Sequence, residues 1–249
     1  MADTALNSYI GLQHVTKQFV LSSGVFTALD DITIDFHSSE FTCVVGRSGS
    51  GKSTLMNMIT GIDKPTSGKI VVEGQTIQDF SENERALWRG RTLGIVFQFY
   101  QLIPVLSLLE NVMFPMQLLG ELEQKACEER ALELLSTVNL RDQAYQRPER
   151  VSGGQQQCAA IARALANDPP ILIADEPTGN LGSNDAAMVL DIFLHLVEVG
   201  KTVIMVTHDN DLARNANRVI QLSDGRIIGD DSEKRKNSTK AKKGGRNGK

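Results

Sequence analysis

The octad Gly46-Arg47-Ser48-Gly49-Ser50-Gly51-Lys52-Ser53 lies between two apolar runs of different periodicity, and it leaves the chain few ways to fold. Phe41-Thr42-Cys43-Val44-Val45 before it is apolar and β-branched, as a buried strand should be. Ser53 to Thr60 after it reads as a helix stopped by Gly61. The spacing between them fits G-x-x-x-x-G-K-[ST] in full. Glycines are required there because the backbone must curl until several N–H groups point inward, and side chains would block the approach of phosphate. The helix N-terminus that follows favours an anion. Contacts to a nucleotide are therefore expected from Gly46, Ser48, Gly49, Gly51, Lys52, Ser53 and Thr54. Lys52 would supply a point charge, and the Ser53 hydroxyl a ligand for Mg²⁺. A loop of this kind predicts an α/β fold and nucleotide binding, but it leaves the reaction open, since many chemistries share it.

A second buried strand is expected over Pro170-Ile171-Leu172-Ile173-Ala174-Asp175, with Glu176 and Pro177 after it. Open α/β sheets bind ligands outside the carboxyl ends of their strands, so both acids are predicted beside the phosphate loop. Asp175 is positioned to hold Mg²⁺, and Glu176 to orient or deprotonate an attacking water. Further on, Val151-Ser152-Gly153-Gly154-Gln155 precedes an expected helix over Gln156 to Asn167, stopped by Asp168-Pro169-Pro170.

Composition limits the alternatives. The 249 residues are 41% hydrophobic and 22% charged, within the range of an ordinary globular protein of one or two lobes. No apolar run approaches the roughly 18–20 residues that a membrane-spanning helix needs. The N-terminus lacks a basic cluster followed by an apolar core, so no secretory signal is expected. A net charge of −4 and a single tryptophan, Trp88, argue against nucleic acid as a partner. Cys43, Cys127 and Cys158 lack metal-ligand spacing and read as buried or incidental thiols of a reducing compartment. His14, His37 and His195 read as ordinary. Three regions follow: 8–95 with strands and a small β portion around Gly68–Gly74, 96–165 dominated by helical periodicity, and 166–229 closing the α/β core. Residues 230–249 change character, with eight lysines or arginines among the twenty and no aliphatic side chain larger than alanine. This stretch is expected to be a disordered basic tail, either solvated surplus or a tether to anionic lipid.

With these residues in hand, the chain from about Tyr9 to about Gly229 resembles an ABC-type ATPase subunit: a P-loop NTPase core with a small antiparallel β portion and a helical subdomain. The resemblance implies that ATP and Mg²⁺ are bound and ATP hydrolysed. It implies a homodimer formed on ATP binding, in which Ser152, Gly153, Gly154 and Gln155 face the ATP held by the partner subunit. By the same resemblance, Phe19 stacks on adenine, and Gln98 touches Mg²⁺ and the attacking water. His208, after the expected strand Lys201–Thr207, contacts the γ-phosphate beside Glu176.

The stretch 98–112, with Gly179-Asn180-Leu181 and Gln155-Gln156-Gln157, is similar to the lipoprotein-release and macrolide-exporter subgroup. That implies docking on an integral membrane permease through the 98–112 surface, at the inner, cytoplasmic face of the cell membrane. A solute-importer subunit and a soluble non-transport ABC ATPase are the alternatives. Part of the 98–112 run, Leu106, Leu108, Leu109 and Val112, is instead suited to packing the helical lobe. Three positions depart from the family pattern: Val151 for Leu, Cys158 for Arg, and Gly182 for the aspartate that ties the two ATP sites together across the dimer. The second is expected to remove hydrogen bonds within or near the dimer interface.

Overall fold

Most of the apolar runs become strands of two sheets, and the periodic ones become helices laid against them. The computed structural model describes residues 9–22 and 24–231. In chain order the strands are β1 (Ile10–Leu21), β2 (Gly24–Phe36), β3 (Phe41–Val45), β4 (Ser67–Val72), β5 (Gln75–Thr76), β6 (Leu93–Val96), β7 (Ile171–Asp175), β8 (Thr202–Thr207), β9 (Arg218–Ser223) and β10 (Arg226–Asp230). The helices are α1 (Lys52–Ile59), α2 (Glu82–Thr92), α3 (Leu108–Leu119), α4 (Gln124–Thr137), α5 (Gly153–Ala164), α6 (Ser183–Glu198) and the short α7 (Asn210–Ala213). Among the described residues no helix is long and apolar enough to cross a membrane.

The core sheet runs β10-β9-β3-β8-β7-β6. Strands β9, β3, β8, β7 and β6 are parallel, and β10 returns antiparallel to β9. Strands β3, β7 and β8 are covered on both sides, which is why Phe41–Val45, Ile171–Ala174 and Thr202–Thr207 are continuous buried runs rather than alternating ones. One face packs against α1 and the second sheet, β2-β1-β4-β5, through residues such as Val44, Ile173 and Leu55. The other face receives α6, where Phe193 meets Phe41 edge to face with ring centroids 6.5 Å apart. The stretch 8–95 therefore contributes to two sheets, and only β3 and β6 of it enter the core sheet.

Helices α3, α4 and α5 form a lobe with its own core, built from Leu108, Val112, Met116, Leu135 and Cys158 among others. The start of α3 is fixed by a capping box. Ser107 accepts from the Glu110 N–H at 3.2 Å, while the Glu110 carboxylate accepts from the Ser107 N–H at 2.7 Å. Those hydrogen bonds from Ser107, backbone first and hydroxyl second, hold the Glu110 carboxyl below its ordinary range. Ser107→Ala is expected to lower stability by about 1 kcal/mol. Since the folded pKa of Glu110 is depressed, its share is present above the unfolded value and is lost as pH falls through the folded one. Urea melts of the two proteins should therefore differ at neutral pH, and the gap should narrow in acid by the share of the Ser107 hydroxyl bond to the Glu110 carboxylate, while the cap on the Glu110 N–H persists.

Two boundaries differ from the sequence expectation. Helix α5 begins at Gly153 rather than Gln156, because Ser152 and Gln155 form a capping box that starts the helix on two glycines. At the other end, β10 continues through Asp230. Its carboxylate accepts from Nε and Nη2 of Arg218, which is only 5 % exposed, so Asp230 belongs to the folded domain. The rest of the expected tail, 232–249, lies outside the described residues.

Candidate active site

Because β3, β6, β7 and β8 run parallel, the loops leaving their C-terminal ends meet at one edge of the sheet. From β3 comes the phosphate loop, from β6 Gln98, from β7 the pair Asp175 and Glu176, and from β8 His208. They enclose a cleft of about 700 Å³, lined by Ser48, Gly49, Gly51, Lys52, Ser53 and Thr54 on one side and by Gln98, Asp175, Glu176 and His208 on the other. Residues as far apart in sequence as Phe26 and His208 are thus within one cavity.

The loop is built as its glycines require. Gly51 has φ +103°, and a Cβ there would lie 2.6 Å from the Ala28 carbonyl oxygen. Gly46 does not line the cleft; it supports the loop from behind, where a Cβ would overlap the Leu222 carbonyl and the Ser50 hydroxyl. Lys52 is 8 % exposed, and its ammonium donates to the carbonyls of Gly46 at 2.8 Å and Arg47 at 3.1 Å. Those carbonyls hold a buried cation at the mouth of the loop, a site matched to an anion.

On the acidic side, the Asp175 carboxyl is pushed up, first by burial. The hydrogen bond from Ser53 opposes this, the neighbouring Glu176 charge adds to it, and Lys52 lowers it. Glu176 adopts φ +46°, a left-handed conformation that is costly for a residue with a Cβ. Its N–H donates to the Val206 carbonyl at 2.8 Å, which locks that conformation to β8. The carboxylate is held at both oxygens: His208 Nδ1 is 2.8 Å from Oε1, and the Thr207 hydroxyl donates to Oε2 at 3.2 Å. A strained backbone and a carboxylate pinned by two neighbours are features of a positioned reactive group.

Two sets of expected residues lie elsewhere. Ser152, Gly153, Gly154 and Gln155 form the N-terminal turn of α5 on the helical lobe and do not line the cleft of their own chain. Phe19 also stands outside the lining; Phe26 and Ala28 take that place. Phe19 and Phe26 are direct cross-strand partners in the β1–β2 hairpin and so share one face, with the Lys17 ammonium 5.0 Å from the Phe19 ring centroid. Phe26, Arg47 and Thr207 are site residues that the sequence did not mark. For Phe26, the one available signal was its register opposite Phe19, which depends on where the hairpin turns.

Of the departures, Cys158 is buried in the core of the helical lobe, and burial first, then the Asp185 charge, push its thiol up to about 11. The Asp185 carboxylate rests against Gly154, leaving no room for a side chain there. Gly182 is the exposed N-cap of α6, with open space where a Cβ would stand.

A phosphate loop at the end of β3, carboxylates at the end of β7 and a histidine after β8 define the molecule as a P-loop ATPase. The chain belongs to the ABC transporter family, whose model matches residues 29–179. It is 45% identical to the lipoprotein-releasing system ATP-binding protein LolD of Aquifex aeolicus, over 82% of this chain and 91% of that one. It is 42% identical to the macrolide export ATP-binding/permease protein MacB of Burkholderia pseudomallei over 88% of this chain, which spans 33% of that longer protein. Among solved structures, it superimposes with a TM-score of 0.84 on the ATP-binding cassette MJ0796, a dimer in a post-hydrolysis state bound to ADP and Pi. That match is at 39% identity and covers 89% of this chain and 97% of the other. The resemblance drawn from the motifs, to the subgroup level, is borne out by these relatives.

Proposed function

We propose that this chain is the ATP-hydrolysing subunit of a membrane complex, which dimerises around two ATP molecules and drives a permease partner to export or extract a substrate. The observation that carries this reading is Glu176, fixed by His208 and Thr207 across the cleft from Lys52. In the proposed roles, the N–H groups of the loop and Lys52 bind the phosphates, with Phe19 and Phe26 at the base. Glu176 orients the attacking water and accepts its proton, while His208 holds the carboxylate and faces the γ-phosphate. Gln98 lines the same cleft and contacts the water.

Ser53 and Asp175 suit Mg²⁺. They pair two oxygen donors, one a carboxylate raised by desolvation whose charge a hard cation would stabilise, and Mg²⁺ takes few protein ligands beside phosphate and water. When bound, the ion would neutralise charge developing on the β- and γ-phosphate oxygens.

The turn Ser152–Gln155 lies outside its own cleft, which is what a composite site requires. The first N–H groups of α5, which have no acceptor within the helix, would receive the γ-phosphate held by a second copy. The dimeric MJ0796 cassette lends support. On the helical lobe, Phe99 and Val105 are 66 % and 72 % exposed, whereas Leu108, Leu109 and Val112 pack inward. The former are proposed to dock the permease and so place the protein at the inner face of the membrane. The basic residues past 231 would add contact with anionic lipid, which flotation of full-length and tail-deleted chains on anionic vesicles tests.

Hydrolysis by the isolated subunit should be weak and rise when the permease is co-expressed and co-purified. Equal turnover with and without it removes the coupling reading. Gly182→Asp addresses the altered dimer seam. The position has N-cap geometry and free space, so aspartate should raise monomer stability by a few tenths of a kcal/mol. It should also increase turnover by restoring a polar group at the seam. A stability gain without a turnover gain would confine the substitution to helix capping.

A further inference from the structure

The side chain of Gln157 is fully buried on α5, one turn beyond the glycines of Ser152–Gln155, the signature turn. Its amide Nε2 donates to the carbonyl oxygen of Pro177 at 2.8 Å. Its other half, Oε1, has no hydrogen-bond partner among the described residues. Burying a half-satisfied amide is unfavourable, and an apolar side chain of the same length would spare the orphaned oxygen at the cost of the donor to the buried Pro177 carbonyl. Core packing therefore does not account for a glutamine at this position, whereas its bond to Pro177 does.

Pro177 directly follows Glu176. The segment it opens, 177–181, is tied at each end to the reacting groups: the Gly179 N–H donates to the Glu176 carbonyl at 3.1 Å, and the Asn180 amide to the Gln98 carbonyl at 3.3 Å. Glu176 is in turn fixed to His208 at 2.8 Å. A continuous set of bonds thus runs from α5 through Gln157 and Pro177 to Glu176, Gln98 and His208.

We propose that Gln157 is a positioning residue that links the signature turn to Glu176 of the same chain, so that the partner's phosphate arriving at Ser152–Gly154 sets the carboxylate for hydrolysis in this chain's own cleft. The proposal rests on the dimeric reading given above. Helix α5 is a rigid element, and a shift of its first turn moves Gln157, which sits in the second, by a similar amount. Pro177 follows because its carbonyl has Gln157 as donor, and Glu176 follows through the peptide bond.

Gln157→Met tests this, since it keeps length and approximate volume while removing both the donor and the orphaned acceptor. In the full chain, turnover per folded molecule should fall about ten- to a hundredfold, the scale of effect seen when a reacting group is misplaced by a change outside the chemistry. Affinity for a fluorescent ATP analogue should stay within about twofold, since no phosphate contact is touched. Combining it with Ser152→Ala should slow turnover no further than the slower single variant, as two parts of one linkage act together. Wild-type turnover in Gln157→Met, a fall that only tracks the unfolded fraction, or fully multiplicative effects with Ser152→Ala would overturn the proposal.

A second measurement does not depend on that variant folding. In Glu176→Gln protein, with Gln157 intact, ATP should change amide hydrogen exchange at 153–156 and at 177–181 together. A change at the first segment without the second would also refute the linkage. Absence of ATP hydrolysis by the wild-type protein would instead remove the proposed function and the linkage with it. Normal wild-type turnover with a silent Gln157→Met removes the linkage alone.

Discussion

Glu176→Gln should lower steady-state ATP hydrolysis by about a thousandfold while leaving ATP affinity nearly unchanged. The substitution keeps the shape of the side chain and its capacity to accept from Thr207 at one atom, but it removes the charge and the basic oxygen facing the cleft. Positioned general bases contribute roughly 10²–10⁴ to rate, and the two bonds that fix Glu176 place this carboxylate toward the upper part of that range. Because ATP is bound but not consumed, the dimer closed around it should accumulate. Sedimentation with ATP should then show a dimer for Glu176→Gln under conditions where the wild-type protein is mostly monomeric. Turnover at the wild-type rate would remove Glu176 as the base, and loss of nucleotide binding would show that it acts on the ground state.

Lys52→Ala should act one step earlier and weaken ATP binding by about a hundredfold. The ammonium is buried and donates to the carbonyls of Gly46 and Arg47, with the Asp175 carboxylate near enough to feel its charge. Truncation therefore leaves the phosphates without their nearest cation and removes the ammonium donor from the Gly46 and Arg47 carbonyls, of which Arg47 keeps the Ser50 N–H. Titration of a fluorescent nucleotide reads the loss directly, and Lys52→Met separates charge from stem, since it keeps the aliphatic contacts. An affinity within threefold of wild type for both variants would place the phosphates away from Lys52. The pair of experiments divides the cleft as the fold does, with binding on the β3 side and hydrolysis on the β7–β8 side.

Much of the site was legible because each part is a local event at a strand end. The octad Gly46–Ser53 carries its own backbone requirement, so its conformation follows from residue types alone. Asp175 and Glu176 were found from four apolar residues followed by acids, since a parallel sheet places every such end on one edge. His208 was marked by the family resemblance after the expected strand Lys201–Thr207, and it stands at the end of β8. The family resemblance supplied the remaining roles and was borne out to the subgroup by relatives at 42% and 45% identity.

What failed to show in the sequence was whatever depended on register or on packing between distant segments. Phe26 enters the cleft because the hairpin turn sets it opposite Phe19, and a one-residue slip would place it on the other face. The start of α5 moved from Gln156 to Gly153 because a reciprocal Ser152–Gln155 cap outweighed the poor helix propensity of two glycines. Cys158, read from the family pattern as a loss near the dimer seam, is packed inside the helical lobe with Ala159 and Ala162. Asp230 looked like the first residue of a polar tail and is an ion-pair partner of the buried Arg218.

The sequence by itself therefore determined the phosphate loop, the acidic strand end, the strands and helices that flank those motifs, and the family, because those depend on neighbours in the chain and on a period. Tertiary structure decided which side chains face one another across 20 to 122 residues: Glu176 with His208, Ser53 with Asp175, and Gln157 with Pro177. Such pairs are selected by hydrogen bonds worth about 1 kcal/mol each, far too weak to leave a mark on residue pattern. They become specific only when sheet register and helix packing have already fixed the backbone to within the reach of a side chain.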